Sequence, residues 1–191
     1  MEGRIGDRKN AILLVSLVMI ILGKLLLSGR LLPNFELVIP VIIVFGCFSN
    51  SWKFPAIVLP VVAILDVLRW GFSPVYIFTW SGFIICWLFL SRRAFNPFSS
   101  TPRIIRSSLM ATLKAILLFD IYTAFWCWPL WYPRTLAGLL SAYFNQIPFT
   151  LYHLLSLVFV PPLAAVGKRM IRVPVEVKIP VSTSAKVGVV R

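Results

Sequence analysis

Long apolar runs separated by short polar segments make up most of the chain. A helix needs about 20 apolar residues to cross the hydrocarbon core of a bilayer, with a range of about 17–25. Six runs approach this length, and each predicts a membrane segment: Ala11–Leu27, Phe35–Phe48, Phe54–Phe72, Pro74–Leu90, Ser108–Trp128 and Pro148–Val166. The pattern predicts an all-α integral membrane protein with about six transmembrane helices.

Three stretches depart from this pattern. The second run has only fourteen residues and contains Pro40 and Gly46, so it predicts a broken or tilted helix, which is tolerated where backbone lines a cavity. The stretch Arg134–Gln146 is amphipathic and is expected at the membrane interface or dipping inward. Beyond Met170, apolar and polar residues alternate with period two, which indicates an edge strand or an extended tail on the cytoplasmic surface.

Composition supports the membrane class. The 191 residues are 59% hydrophobic, whereas soluble domains are about 45–50% apolar. The net charge of +13 could indicate nucleic-acid binding, but the basic residues flank the apolar runs and form no separate patch, so we expect no nucleic-acid partner. The predicted organisation is a cytoplasmic N-terminus over residues 1–10, a transmembrane helical domain over 11–168 and a basic cytoplasmic tail over 169–191.

The distribution of basic residues predicts the orientation in the cell membrane. With six spans both termini share one side, and fourteen of the nineteen Lys and Arg residues fall there, against four on the other side and Lys114 within a span. Basic residues favour the cytoplasm. Both termini are therefore predicted to be cytoplasmic, with Lys24, Arg30, Arg69 and Arg134 on the outer side.

Sequence motifs for catalysis and cofactor binding do not occur. Cys47, Cys86 and Cys127 lie in apolar surroundings without a CxxC spacing, which argues against disulfides and thiolate metal sites. The chain also has no phosphate-binding GxxxxGK[ST] loop, no HExxH and no GxSxG. We therefore expect neither an enzyme nor a bound metal or cofactor.

Ionisable residues inside the apolar runs give the strongest functional signal. A carboxylate at membrane depth costs about 2.5–3.5 kcal/mol on insertion scales, so it persists mainly where it meets a partner, water or a ligand. Asp66 and Asp120 are two such residues, and with the exception of Lys114 nearly all of these groups fall in the outer half of the predicted bundle. A single outward-facing polar cavity explains this placement.

Each candidate also has a structural interpretation. Asp66 and Arg69 are three residues apart on one helix face and can form an internal ion pair, bind a ligand, or both. His153, the only histidine, can be a hydrogen-bonded core residue, and the aromatic residues can belong to the interfacial belt. The candidate substrate-binding residues are Asp66, Asp120, Arg69, Glu36, Arg30, His153, Trp126, Trp128, Tyr132 and Asn34.

Three segments carry a resemblance to a known family. Arg30–Phe35 (RLLPNF), Pro60–Gly71 (PVVAILDVLRWG) and Tyr132–Phe149 (YPRTLAGLLSAYFNQIPF) resemble a prokaryotic family of uncharacterised transport proteins. That family is similar to the substrate-binding S components of energy-coupling factor (ECF) transporters. The resemblance covers roughly Arg30–Val166, and the third segment is its most specific part.

The resemblance implies an S-component-like bundle of six helices that binds a vitamin, metabolite or metal ion near the outer face. It also implies partners, namely a transmembrane coupling subunit and a pair of ATPases. The sequence thus predicts a membrane-embedded substrate-binding subunit of an uptake transporter. The alternative is a membrane scaffold or assembly partner whose polar residues only hold helices together.

The substrate stays open at this stage. The acidic groups suit a cation or an amine, whereas Arg30, Arg69 and Arg134 suit a carboxylate or phosphate. A zwitterionic or heteroaromatic metabolite would satisfy both sets of side chains.

Overall fold

A computed structural model of the chain describes residues 2–27 and 35–171, with side chains from residue 7 onward. The described residues form helices and connecting turns without any strand, as the apolar runs predict. The helices are α1 (Glu2–Leu22), α2 (Val38–Ser49), α3 (Lys53–Trp70), α4 (Val75–Phe89), α5 (Thr101–Trp131), α6 (Leu136–Leu155) and α7 (Val160–Ile171). A π-helical turn, Gly23–Leu27, extends α1, and 3₁₀ turns occupy Ser91–Arg93 and Ser156–Phe159.

Helix ends follow from local sequence chemistry. Helix α5 starts after the extended residue Ser100 and has a proline in its first turn, where no intrahelical N–H bond is lost. Thr135 caps α6 by accepting a hydrogen bond from the backbone N–H of Gly138 at 3.2 Å. Helix α3 stops at Gly71, whose φ of 75° is readily adopted only by glycine.

Helix α2 forms the centre of the bundle. All twelve of its residues are buried, and it contacts α1, α3, α4, α5 and α7. This placement agrees with its composition, because a helix that is apolar on every side is stable only when it is surrounded. The expectation of a broken helix is wrong: Pro40 lies in the first turn, where backbone N–H groups have no intrahelical acceptor, so the helix runs uninterrupted to Ser49.

Helices α1 to α6 alternate in direction and α7 continues α6 in one helical run, so the bundle has two distinct ends. At one end Arg8 donates to the carbonyl of Ile171 at 3.2 Å, and Lys168 donates to the carbonyl of Ser99 at 2.6 Å. These contacts join the start of α1, the end of α7 and the loop before α5. We call this the basic end, because it collects Arg8, Lys9, Lys53, Arg92, Arg93, Arg103, Arg106, Lys168 and Arg169.

Three helical stretches of the described chain are long and apolar enough to cross a membrane, namely Asp7–Leu26, Val75–Arg93 and Leu136–Ile171. Val38–Ser49 is a shorter apolar helix. Many large apolar side chains are exposed on the outside of the bundle: Leu68 is 78% accessible, Phe144 73% and Phe89 72%. So much exposed apolar surface is unusual for a protein that faces only water.

Three predicted boundaries change in the structure. Helix α5 begins at Thr101, seven residues before the predicted start at Ser108. Pro148, the expected start of the sixth segment, lies inside α6, so the amphipathic stretch and the sixth segment belong to one helical run, Leu136–Ile171, with a 3₁₀ turn at Ser156–Phe159. Helix α1 begins at Glu2, so the predicted N-terminal segment 1–10 is continuous with the first apolar helix. The predicted strand or extended tail falls mainly on 172–191, outside the described residues.

Candidate functional site

A pocket of about 600 Å³ opens at the end of the bundle opposite the basic end. Its walls come from the π-helical turn after α1, from Glu36 just before α2, and from α3, α4, α5 and α6. The lining residues are Lys24, Glu36, Asp66, Arg69, Trp70, Val75, Tyr76, Thr79, Phe119, Thr123, Cys127, Trp131, Tyr132, Ala142, Asn145, Gln146, Phe149 and His153.

The short central helix explains why there is space for the pocket. Helix α2 has twelve residues and α3 has eighteen, and a tight turn joins them at the basic end. At a rise of about 1.5 Å per residue, α2 stops roughly 9 Å short of the far end of α3. Glu36, just before α2, lines the pocket, while none of the residues of α2 does. The cavity therefore lies beyond the N-terminal end of the central helix.

Lys24 forms an ion cluster with two carboxylates in one wall of the pocket. Its Nζ lies 2.8 Å from Glu36 Oε1 and 2.6 Å from Asp66 Oδ1. The other Asp66 oxygen accepts a hydrogen bond from Trp80 Nε1 at 3.0 Å. Lys24 belongs to the π-helical turn, a feature that shifts side-chain directions and is frequent at functional sites. The cluster carries one excess negative charge.

Arg69 connects α3 to the same turn. Its Nη1 donates to the backbone carbonyl of Lys24, and its guanidinium lies 5.3 Å from the centre of the Trp70 ring. A carbonyl in a π-helical turn lacks regular helix geometry, so this bond fixes the turn that carries Lys24. Arg69 therefore helps to hold the ion cluster in place.

Asp120 and His153 form a second polar cluster on the α5–α6 side. Asp120 Oδ1 lies 2.7 Å from His153 Nδ1 and accepts a hydrogen bond from Gln146 Nε2 at 3.0 Å. Asp120 is only 3% exposed, and its Oδ2 is buried without a hydrogen-bond partner among the described residues. His153 and Gln146 line the pocket, so Asp120 acts from behind them to fix their orientation.

Aromatic rings cover much of the remaining wall. Tyr76 stacks on Trp80 with ring centres 5.7 Å apart, and Phe119 meets the His153 ring edge-on at 5.6 Å. The hydroxyl of Tyr132 accepts a hydrogen bond from Asn145 at 3.1 Å. These contacts give the pocket an aromatic lining with polar groups at defined points, which is the usual construction of a small-molecule site.

The structure brings together five of the ten candidates named from the sequence. Glu36, Asp66, Arg69, Tyr132 and His153 all line the pocket. Asp120 lies directly behind His153. Two further candidates, Arg30 and Asn34, lie outside the described residues.

The two candidate tryptophans are placed elsewhere. Trp126 stacks on Phe78 with ring centres 4.7 Å apart, and Trp128 donates its indole N–H to the carbonyl of Pro133 at 2.8 Å. Neither is among the residues that line the pocket, where Trp70 and Trp131 lie instead.

Sequence reasoning missed Lys24, Asn145 and Gln146 as members of the site. Lys24 was recognised as an outer basic residue, but its partner Asp66 is 42 positions away and no periodicity relates the two. Asn145 and Gln146 lie in the amphipathic stretch, whose spacing contained a usable signal. Together with Ala142, Phe149 and His153 they recur every three or four residues and so form one helix face.

Comparison with known families places the whole bundle in one of them. Residues 6–177 match the model of the Family of unknown function (DUF6580). The chain belongs to this family. No curated protein and no solved structure matches the chain. Since the family description names no activity, what this DUF6580 protein does must be argued from its pocket.

Proposed function

We propose that this DUF6580 protein is a multi-pass membrane protein whose pocket binds a small molecule for uptake. In this proposal it crosses the cell membrane six times, has both termini in the cytoplasm and opens its pocket outward. The observation that carries the proposal is the pocket itself, a cavity with two polar clusters and an aromatic lining at one end of an apolar bundle.

The membrane part of the proposal is supported by how charge is distributed. Three ionisable residues within the helical bundle turn inward: Lys24 and Asp66 are each 6% exposed and Asp120 is 3% exposed. Large apolar side chains face outward instead. The basic end gathers nine Lys and Arg side chains of the described chain, as the cytoplasmic side of a membrane protein does. Exposed Lys114 can reach towards that end with its flexible stem.

Binding explains the structure better than a scaffold does. Polar residues that only hold helices together are expected in tightly packed interfaces. The ion cluster and the Asp120–His153 pair fit that description, but a cavity of about 600 Å³ next to both does not. Its size lies within the range of roughly 300–1,000 Å³ that is common for small-ligand pockets. A scaffold or assembly partner remains the alternative function.

The energy for uptake is proposed to come from a partner. The sequence has no phosphate-binding loop, and Asp66, Asp120, His153 and Lys24 are concentrated towards the pocket end. A proton pathway across the membrane usually needs ionisable side chains along its length. In line with the resemblance to ECF S components, we propose a transmembrane coupling subunit with ATPases that docks at the basic end.

Two tryptophan substitutions test whether the pocket binds a ligand. Thr79 lines the pocket and Thr150 does not, yet both are half-buried and each hydroxyl donates to the carbonyl four residues earlier, at 3.3 Å and 3.2 Å. The purified wild type, Thr79→Trp and Thr150→Trp are compared by native mass spectrometry and by thermal shift against a metabolite panel.

We expect the wild type and Thr150→Trp to retain or bind a small molecule and Thr79→Trp to lose it, because the indole fills the cavity. Absence of any bound molecule on the wild type would favour the scaffold. Equal binding by both variants would place the ligand outside this pocket.

A further inference from the structure

We infer that the ligand is a small organic cation with N–H groups on its charged nitrogen, a primary ammonium being the simplest case. This inference rests on the proposed function and specifies the substrate class of the same pocket. It is carried by the charges of the lining residues, by an acceptor atom left over in the ion cluster and by the aromatic walls.

The charge of the ion cluster favours a cation. Its two carboxylates, Glu36 and Asp66, share a single ammonium, Lys24 Nζ, so the cluster has a formal excess of one negative charge. Arg69 lies in the same wall, but its guanidinium donates to the Lys24 carbonyl and lies over the Trp70 ring. A bound cation would neutralise the excess charge of the cluster.

The ion cluster already holds one ammonium group. Lys24 Nζ bridges Glu36 and Asp66, which shows that these carboxylates accept N–H donors in a buried setting. Asp66 uses both of its oxygens, the second on Trp80. Glu36 Oε2 has no hydrogen-bond partner among the described residues, and the side chain keeps 17% exposure. A second ammonium in the pocket therefore has a carboxylate oxygen available.

Aromatic rings add a second feature of a cation site to the carboxylate oxygen of Glu36. Trp70, Tyr76, Trp131, Tyr132 and Phe149 line the same cavity. The faces of such rings carry partial negative charge and attract organic cations more than neutral or anionic groups. Carboxylate and rings together suit a nitrogen cation that has apolar carbon attached.

The basic residues offer less to an anion. Lys24 is neutralised by two carboxylates, and Arg134 is not among the lining residues. Arg69 is bound to the Lys24 carbonyl and lies over Trp70. A bare metal ion is also a poor fit, because the described residues contain no group of three His, Cys, Asp or Glu side chains arranged to hold one.

The test uses probes that share one aromatic group and differ in the charge of the terminal group. The purified protein is titrated with phenethylamine, phenethyl alcohol and hydrocinnamate, and with the corresponding indole compounds. The molecule retained in native mass spectrometry is then assigned as cationic, neutral or anionic. We expect the amines to bind and the retained molecule to contain a basic nitrogen. Alcohols or carboxylates that bind as well as the amines, or an acidic or neutral retained molecule, would overturn the inference while the proposed function stands. If no probe binds and no molecule is retained, both fail.

Two carboxylate substitutions test whether Glu36 is the residue that binds the amine. Glu36→Gln keeps the shape of the side chain and removes its charge, whereas Asp7→Asn removes a carboxylate on exposed Asp7 at the opposite end of α1. Losing a charge-assisted hydrogen bond should weaken amine binding roughly tenfold or more in Glu36→Gln. Asp7→Asn should leave it unchanged.

Tyr76→Leu provides a second variant that keeps every charge in place. It should weaken binding of the amines more than binding of the alcohols, because it removes a ring face. Unchanged amine affinity in a folded Glu36→Gln or Tyr76→Leu protein would contradict the inference.

Discussion

Replacing Lys24 by methionine tests whether the ion cluster is as tightly built as its distances indicate. The substitution keeps the length of the side chain and removes the only cation in salt-bridge contact with Glu36 within the described chain. Because Lys24 Nζ lies 2.8 Å from one carboxylate oxygen and 2.6 Å from the other, those oxygens can be no farther apart than the sum of the two distances, about 5.4 Å. The variant therefore leaves two negative charges side by side in a buried setting.

The size of the destabilisation follows from the distance between the two carboxylate oxygens. At an effective dielectric constant of about 20, two unit charges about 5.4 Å apart repel each other by about 3 kcal/mol. Removing one partner from a buried ion pair costs about 3–5 kcal/mol in general, since the remaining charge is buried without compensation. We expect Lys24→Met to lower the free energy of unfolding by a similar amount, about 3–5 kcal/mol.

Equilibrium unfolding in mixed micelles at two pH values measures this loss in the free energy of unfolding. The loss should be largest near neutral pH and smaller in acid, because one carboxylate can then take a proton and the repulsion disappears. Lys9→Met is the matched control: Lys9 is exposed on α1 at the basic end, so its loss should change stability by less than about 0.5 kcal/mol. A triple variant with Glu36→Gln and Asp66→Asn added should recover most of the stability. A Lys24→Met protein as stable as the control, or a triple variant no better than the single one, would refute the reasoning.

Three further outcomes are expected. A double-mutant cycle with Asp120→Asn and His153→Gln, measured by thermal unfolding, should give a coupling energy of about 0.5–3 kcal/mol, since the two groups are in contact. Additive effects of the two substitutions would show that the pair does not stabilise the fold. Gly46→Ala should destabilise by about 1–3 kcal/mol, because its new methyl group would lie 2.4 Å from Ser91 Oγ, and Ser91→Ala in the same chain should recover part of the loss in a denaturation series. With the other two cysteines replaced by alanine, half-buried Cys127 in the pocket wall should react with a membrane-impermeant maleimide added outside intact cells; reaction only after permeabilisation would reverse the proposed orientation.

The positions of the helices could be largely predicted from the sequence. The third and fourth apolar runs, Phe54–Phe72 and Pro74–Leu90, end within two residues of α3 and α4. The reason is local: glycine, proline and polar residues interrupt each run, and helix ends depend on such neighbouring residues. The clustering of Asp66 and His153 in a polar cavity was also predictable, because buried ionisable groups need one another or water.

The tertiary structure decided which side of each helix faces inward and which residues become partners. Helix α2 is apolar on every side, a pattern that suits either lipid or protein surroundings, so its sequence could not show that it is the centre of the bundle or that the cavity lies beyond its N-terminal end. The contact between Lys24 and Asp66, and the exclusion of Trp126 and Trp128 from the pocket wall, likewise depend on packing between helices distant in sequence. A pattern along one helix records where apolar residues recur, whereas the partner of a buried charge is fixed only when the helices come together.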